Sequence, residues 1–267
     1  MIPRLHVPLE MSPDAILPLD DAASHHAIRV LRLGSGAPVE VFDGRGQSAA
    51  AAIASTSPAT VRVERLHPAA SPPRLHLVLA QCISAAEKMD WTIEKAVELG
   101  VAAIVPLQSH KAIVKLSAER AARRHEHWQR LILAASAQSG QNRVPELQPA
   151  IRLTDWLNRP GRSPDTEHVP EAAGFAMQRL VLDPRAARSL PAVMAAQDGA
   201  GPPADAAQGR RSVELLCGPE AGFSEAELRQ ATEAGWRPVS LGPRVLRTET
   251  AGLVALAVLQ AHWGDLR

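Results

Sequence analysis

Tyrosine is absent from the sequence, and aromatic residues make up only 3% of its 267 residues. Aliphatic side chains must therefore form most of any core. Only two cysteines occur, Cys82 and Cys217, and they stand far apart in apolar surroundings. This spacing excludes a disulfide framework and a cysteine-based metal knuckle, which need several cysteines or close pairs. We interpret both as buried structural thiols.

Long apolar runs are also lacking. The longest extends from Ala251 to Leu259 with one glycine, well short of the ~20 residues that span a bilayer. The first ten residues, MIPRLHVPLE, carry proline and charge where a signal peptide would need an apolar segment. We therefore expect a cytoplasmic protein that does not enter a membrane.

Positive and negative charges are also nearly balanced, since the formal net charge is +1. The distribution is nevertheless uneven, because six basic residues stand against two acidic ones between Ser109 and Arg130. Two interpretations are open for this stretch: a solvated helix face or a surface that contacts phosphates. Its basic residues are Lys111, Lys115, Arg120, Arg123, Arg124 and Arg130.

Chain length and local patterns predict two domains, 1–72 and 73–267. The length exceeds the ~150 residues of a common domain by a wide margin. The first part is β-rich: a short helix at SHHAIRVLRL precedes a hairpin around Asp43-Gly44 and the alternating strand ATVRVERL. The proline-rich stretch 67–74, HPAASPPR, marks the boundary.

Strands alternate with helices in the second part. The apolar segments LHLVLA, VAAIVPL, LVLD, SVELLC and PVSL are predicted strands. Helices are predicted at about Ala86–Leu99, at Ser117–Ser139 and after Ser224, which has the S-x-x-E spacing of a capping box. The pattern indicates an α/β domain with an open parallel sheet. Surface loops are expected at 158–174 and 197–211.

Two predicted strands end in Gly-Pro, at Gly218-Pro219 and at Gly242-Pro243. A right-handed crossover between them would bring both loops to one edge of the sheet, side by side. Ligands bind at that edge in open parallel sheets, so we predict a small-molecule site, with ordinary βα turns as the alternative. Neither loop has the glycine spacing of a phosphate loop.

The last predicted helix, Thr250 to His262, is apolar nearly all round. Such a helix must be covered on several sides, by the core and by a partner subunit. Arg244, Arg247 and Glu249 come just before or at its start. The two arginines are three positions apart and can point at one anion, or Glu249 can be their ion-pair partner.

Two of these segments carry a resemblance to a known family. LLCGPEAGF and LGPRVLRTETA resemble the two signature motifs of the ribosomal RNA small subunit methyltransferase E family, of the SPOUT class. Three further segments are similar to that family in the same order, so the resemblance covers nearly the whole chain: HHAIRVLRLGSG with VFDGRG, EKMDWTIEKAVELGV, and SGQNRVPEL. It implies a PUA-like RNA-binding β-barrel, then a trefoil-knotted SPOUT domain, in a homodimer.

The resemblance also implies an activity. S-adenosylmethionine (SAM) would be the methyl donor, with no metal because the sulfonium is already activated, and N3 of one uridine in 16S rRNA of the small ribosomal subunit would be the acceptor. The implied cofactor-binding residues are Leu216, Gly218, Pro219, Glu220, Leu241, Gly242 and Leu246. The implied RNA-binding residues are Arg29, Arg32, Lys111, Lys115, Arg124 and Arg143.

The catalytic roles are a hypothesis on the same residues. Arg244 or Arg247 would stabilise negative charge on the uracil carbonyls. Glu249 or Glu220 would orient those arginines or accept the proton from N3. The sequence departs from the family at Ala221, a small change that tests how tight the first cofactor loop is. It also departs at Ala137, Gln141 and His110-Lys111, which affects RNA contacts or the dimer surface more than cofactor binding.

Two other functions remain open from the sequence. One is a SPOUT enzyme that methylates a ribose 2′-hydroxyl of transfer or ribosomal RNA. The other is a non-catalytic RNA-binding protein of ribosome assembly.

Overall fold

The computed structural model describes residues 2–110, 117–159, 177–198 and 211–266. Internal contacts divide the chain into two units. The first comprises Met1–Pro72 and Leu133–Val144, and the second comprises Pro73–Ile132 and Pro145–Arg267. The predicted second domain, 73–267, includes residues 133–144, which group with the first unit.

A five-stranded sheet forms the first unit. Its strands are β1 (Arg4–His6), β2 (Ile16–Pro18), β3 (Pro38–Phe42), β4 (Ser48–Thr56) and β5 (Ala59–Leu66), in the order β1-β3-β4-β5-β2. Only β1 and β3 pair in parallel. The predicted helix is confirmed as α1 (Asp21–Ser24), which continues into a π-helical segment, His25–Val30.

The predicted hairpin is confirmed, but its loop is longer than a two-residue turn. Strands β3 and β4 pair from Phe42↔Ser48 onward, so five residues connect them. One carboxylate oxygen of Asp43 accepts hydrogen bonds from three successive backbone N–H groups of the loop. Gly46 has φ +119°, a conformation that residues with a Cβ rarely adopt.

Arg4 connects the sheet of the first unit to residues 133–139, the last part of a long helix that groups with this unit. Its guanidinium forms an ion pair with Glu40 at 3.0 Å and donates hydrogen bonds to the carbonyl oxygens of Ser136 (3.2 Å) and Ala137 (3.3 Å). Carbonyls in the last turn of a helix have no intrahelical partner. One positive side chain therefore satisfies several of them and complements the helix dipole.

The second unit is an α/β domain with an all-parallel sheet, as predicted. Its strands are β6 (Leu75–Cys82), β7 (Ala103–Gln108), β8 (Glu146–Leu147), β9 (Ile151–Arg152), β10 (Met177–Leu182), β11 (Arg211–Cys217) and β12 (Arg237–Val239). The order is β12-β10-β11-β6-β7-β8, with β9 also on β7. The sequence analysis did not find β8 or β9.

Six helices accompany these strands in the described part of the chain. They are α2 (Ala86–Glu98), α3 (Ala118–Ser139), α4 (Leu153–Leu157), α5 (Leu190–Asp198), α6 (Glu225–Glu233) and α7 (Thr248–Trp263). The capping box predicted at Ser224 and Glu227 is present at the start of α6. Helices α4 and α5 were not predicted. Within the described ranges, no helix is long and apolar enough to cross a membrane.

The two loops predicted on 158–174 and 197–211 fall mostly outside the described residues. Gln197 and Asp198, assigned to the second loop, instead end helix α5.

The two strands that end in Gly-Pro are not neighbours in the sheet. Strand β10 lies between them and pairs in parallel with both, through Val181↔Leu216 and Val181↔Pro238. The two strands are therefore not adjacent, although both of their loops lie at the same edge of the sheet, as predicted. Strand β10 precedes both strands in the chain, so chain order could not show that it lies between them.

Helix α7 packs on one face of the sheet, against α2, β6 and β11. The amide of Gln260 donates to the carbonyl oxygens of Leu99 (3.0 Å) and Gly100 (3.2 Å), where α2 ends. Gly100 has φ +74°, and a Cβ there would lie 2.7 Å from Nε2 of Gln260. The end of α2 is thus fixed by a side chain of α7.

A buried ion pair joins two central strands of the sheet. Nε of Arg179 on β10 lies 3.1 Å from Oε2 of Glu214 on β11, whose side chain is only 1% exposed. Burial raises the pKa of Glu214, while the charge and hydrogen bond of Arg179 act in the opposite direction. The guanidinium also lies 5.9 Å from the ring centre of Trp236. Removing one partner would leave the other charge buried without compensation.

We predict that Arg179→Met lowers the free energy of unfolding of the second unit by about 3–5 kcal/mol, the usual cost of breaking a buried pair. The double variant Arg179→Met with Glu214→Leu should recover most of the lost free energy of unfolding. All five tryptophans lie in this unit, so urea unfolding followed by tryptophan fluorescence measures the effect.

The matched control is Arg123→Met. Its ion pair with Glu119 is on the surface of α3, and exposed pairs contribute about 0.5 kcal/mol or less. Equal losses in the two single variants would contradict the assignment of a structural role to the buried pair.

Candidate functional site

A cavity of about 720 Å³ opens at the carboxyl ends of β10, β11 and β12, within the range of ligand pockets. Both Gly-Pro loops contribute to it, as predicted from the sheet edge. The lining residues come from α2 (Lys88), the loop after β10 (182–185), the loop after β11 (217–223), Leu228 of α6, Val239, and the segment before and into α7 (Leu241, 244–249 and Ala251).

Most of the residues predicted for cofactor and catalysis line this cavity. They are Gly218, Pro219, Glu220, Leu241, Arg244, Leu246, Arg247 and Glu249. Two are not among the lining residues. Leu216 is 1% exposed and packs in the core of the sheet, because it precedes the strand end by one residue and so points to the other face from Cys217. Gly242 shapes its loop with φ +109° instead of lining the cavity.

The two glycines serve different purposes. A Cβ at Gly218 would lie 3.0 Å from a ring carbon of Phe223, so the first loop needs glycine for close packing. A Cβ at Gly242 would meet no atom within 4 Å, so the second loop needs glycine for its positive φ. Substitution at either position should therefore distort the cavity wall, for unlike reasons.

Thr248, the first residue of α7, connects the two loops. Its hydroxyl donates a hydrogen bond to the carbonyl oxygen of Gly218 and accepts one of 3.0 Å from Nε2 of the buried Gln81. The thiol of Cys217 donates to the carbonyl oxygen of Thr248 at 3.5 Å. The start of α7 is therefore bonded to the end of β11. This role of Thr248 was not predicted, although the residue lies in the motif LGPRVLRTETA.

The cysteines are confirmed as buried free thiols. Burial raises the pKa of Cys217 to about 11, despite opposing hydrogen bonds with Thr248 and Gln81. Burial also raises the pKa of Cys82. Because the thiolate is the nucleophile, neither side chain is suited to covalent chemistry at neutral pH, and Cys217 acts as part of the cavity wall.

Each carboxylate of the cavity has a hydrogen-bond donor. Oε1 of Glu249 lies 3.2 Å from Nζ of Lys88, Oε1 of Glu220 accepts from the backbone N–H of Ala85 at 3.1 Å, and Asp183 accepts from the backbone N–H of Arg185 at 3.0 Å. The predicted alternative in which Glu249 pairs with Arg244 or Arg247 is wrong. Its partner, Lys88, comes from a distant helix that sequence spacing could not connect to it.

Glu249 is ionised at neutral pH. Burial opposes its ionisation, but hydrogen bonds from its own backbone N–H and from Lys88 outweigh burial and hold its pKa below the usual range. Its second carboxylate oxygen, Oε2, is buried and has no hydrogen-bond partner among the described residues.

The two arginines at the mouth of the cavity contrast with these carboxylates. Arg244 and Arg247 are exposed, and in the described part of the chain neither guanidinium has a side-chain hydrogen bond or an ion pair. Val245 stands between them with 80% of its surface exposed. The mouth therefore presents two unpaired positive charges and one apolar side chain to solvent.

The residues predicted to bind RNA are in different situations. Arg29 and Arg32 are exposed on the first unit. Arg124 lies 6.0 Å from the ring centre of Trp128, and Arg143 donates to the carbonyl oxygen of Ala70 at 3.4 Å, so both also have local structural contacts. Lys111 and Lys115 lie outside the described residues. Among the described residues, no group of three or more His, Cys, Asp or Glu side chains is arranged to hold a metal ion.

Sequence reasoning missed two contributions to the cavity wall. One is Lys88, and the other is the loop after β10, Leu182 to Arg185. The second had a signal, because Asp183-Pro184 follows an apolar strand much as Gly-Pro follows β11 and β12. The arrangement suits a small polar ligand held by backbone groups, with a second, anionic ligand at the mouth.

Comparison with known proteins connects this geometry to two family models. Residues 71–260 match the RNA methyltransferase domain, and residues 19–64 match the RNA methyltransferase PUA domain. The first match includes every lining residue of the cavity, and the second covers most of the sheet of the first unit.

Individual relatives agree with these matches. A ribosomal RNA small subunit methyltransferase E from Buchnera aphidicola is 26% identical, over 99% of this chain and 98% of its own. The crystal structure of one from Neisseria gonorrhoeae bound to S-adenosylmethionine is 32% identical, with complete coverage of both chains and a TM-score of 0.80. A Legionella pneumophila protein in complex with SAM is 33% identical, again with complete coverage of both, and has a TM-score of 0.83.

Proposed function

The chain belongs to the ribosomal RNA small subunit methyltransferase E family, and we propose that it transfers the methyl group of SAM to N3 of a uridine in 16S rRNA. The observation that carries the proposal is the cavity lined by the two Gly-Pro loops, at whose mouth Arg244 and Arg247 are unpaired within the described ranges. A small-molecule site beside an anion-binding rim is what transfer from a soluble donor to RNA requires.

The charged side chains of the cavity and the backbone of its loops both suit SAM. When bound, SAM supplies a methyl group already activated on a sulfonium. The carboxylates of Asp183, Glu220 and Glu249 line the cavity and suit a ligand that carries positive charge. The backbone of Gly218 to Glu220, with Leu241 and Leu246, forms the rest of the proposed cofactor site, and Thr248 holds these two walls together.

Uridine N3 carries a proton that must leave as the methyl group arrives. We assign Arg244 and Arg247 to the uracil carbonyl oxygens, on which negative charge develops as the N3–H bond breaks. Oε1 of Glu249 is bonded to Lys88 and Oε2 is buried, so Glu249 is poorly placed to accept that proton. Glu220 is exposed at the cavity and uses only Oε1 for Ala85, and we assign proton acceptance to it.

The target base is stacked in folded RNA, so it must turn outward to meet the donor. The exposed arginines of the first unit, Arg29 and Arg32, are proposed to contact phosphates with Arg124, Arg143, Lys111 and Lys115. Phosphate contacts release counterions, so raising the salt concentration should weaken RNA binding far more than SAM binding.

The surface of α7 supports a homodimer. Ala251, Val254, Val258 and Ala261 follow helical spacing and are half-buried or exposed, so one side of α7 is an apolar stripe that the described residues leave partly uncovered. On α2, which packs against α7, Trp91 is 46% exposed. Apolar stripes of this kind are typical of protein interfaces, and we propose that a second copy of the chain covers them.

Transfer of labelled methyl from SAM to small ribosomal subunits that lack the modification tests the function. We expect one methyl group per subunit, and nucleoside mass spectrometry should identify 3-methyluridine. A methyl group on a ribose hydroxyl would favour the SPOUT ribose methyltransferase instead. SAM binding without transfer to subunits or to free 16S rRNA would favour a non-catalytic assembly protein.

We predict that Arg247→Ala binds SAM within about threefold of the wild type but transfers methyl groups about 100-fold more slowly, the usual loss for one preorganised charge-stabilising group. Glu220→Gln should also slow transfer. Calorimetry with SAM and single-turnover transfer measure the two effects separately. Arg237→Ala, exposed at the first residue of β12 and so at the sheet edge opposite the cavity, is the matched control. A wild-type rate in Arg247→Ala would remove the arginine from the mechanism.

A further inference from the structure

The ion pair between Lys88 and Glu249 joins two helices inside the cavity. Lys88 is in the first turn of α2 and Glu249 in the first turn of α7. Their N–O distance is 3.2 Å, and their side chains are 37% and 13% exposed. The proposed mechanism does not use Lys88.

Glu249 would be a natural partner for the arginines if Lys88 were absent. It follows Arg247 by two positions, and the charge of Arg247 already contributes to its low pKa. A partly buried carboxylate normally pairs with a nearby cation, and a guanidinium binds a carboxylate through two parallel hydrogen bonds. An Arg247–Glu249 pair would withdraw the guanidinium from the mouth of the cavity.

Lys88 prevents Glu249 from pairing with Arg247. Its ammonium occupies Oε1 of Glu249 from the side of α2, while Arg247 stays exposed and, in the described part of the chain, unpaired. The remaining carboxylates of the cavity are held in a similar way, Glu220 by Ala85 and Asp183 by Arg185. Each cavity carboxylate thus has a fixed donor for one oxygen, and Arg247 at the mouth is left available.

We propose that Lys88 is a positioning residue for methyl transfer, which pairs with Glu249 and thereby keeps Arg247 free for the RNA substrate. The proposal rests on the proposed function, since it requires Arg247 to act on RNA. This role is not purely structural. Removal of Lys88 would slow methyl transfer because the carboxylate of Glu249, left without its partner, would pair with Arg247.

The test is a double-mutant cycle. Lys88→Met should bind SAM within about threefold of the wild type and lower the transfer rate by about 10-fold or more, because Glu249 would then compete for Arg247. Lys88→Arg should keep most of the rate, since the charge remains. Lys88→Met with Glu249→Gln should return to the rate of Glu249→Gln alone, a rescue that lost packing could not give.

Two results would overturn the proposal while the wild type is active: an unchanged rate in Lys88→Met, or a double variant as slow as Lys88→Met. If the wild type transfers no methyl group, the proposed function fails and the pairing is tested by a crystal structure of Lys88→Met. A contact between Arg247 and Glu249 would support the proposal, and an unmoved Arg247 would contradict it.

Discussion

The hydrogen bond from the Thr248 hydroxyl to the carbonyl oxygen of Gly218 is the interaction on which the site depends. The two Gly-Pro loops belong to strands that are separated by β10, so no ladder of backbone hydrogen bonds connects them. Thr248 makes the connection at the first residue of α7, and the buried amide of Gln81 fixes the hydroxyl from behind. Because α7 is anchored in the core along its length, the loop before it is held at both ends.

The same anchoring determines where the charged side chains of the cavity lie. Glu220 and Glu249 are bonded to residues at the start of α2, and Asp183 accepts a hydrogen bond within its own loop. In contrast, Arg244 and Arg247 on the second loop are exposed. A site that uses SAM and RNA needs this division, because the donor carries positive charge and the acceptor carries phosphates. In the proposed function, the carboxylates would face the donor and the exposed arginines would face the RNA.

Local patterns in the sequence predicted local structure well. The capping box at Ser224, the glycine after α2 and the alternation in β5 depend on neighbours within a few residues, and each is present in the structure. The family motifs also located most of the cavity wall. What could not be predicted depends on strand order and distant packing. Examples are the position of β10 between β11 and β12, Lys88 as the partner of Glu249, and the burial of Leu216 in the core. The knotted passage of the chain stays a prediction.

The most direct test of this account is the affinity of Thr248→Val for SAM, measured by calorimetry beside Thr248→Ser. Valine keeps the branched shape but removes the hydroxyl, so the carbonyl of Gly218 and the amide of Gln81 lose their partner, at a cost of about 1–3 kcal/mol. We predict that Thr248→Val folds, as judged by tryptophan fluorescence, and binds SAM about 10-fold or more weakly. Thr248→Ser should stay close to the wild type. Wild-type affinity in Thr248→Val would contradict the claim that this hydroxyl assembles the site.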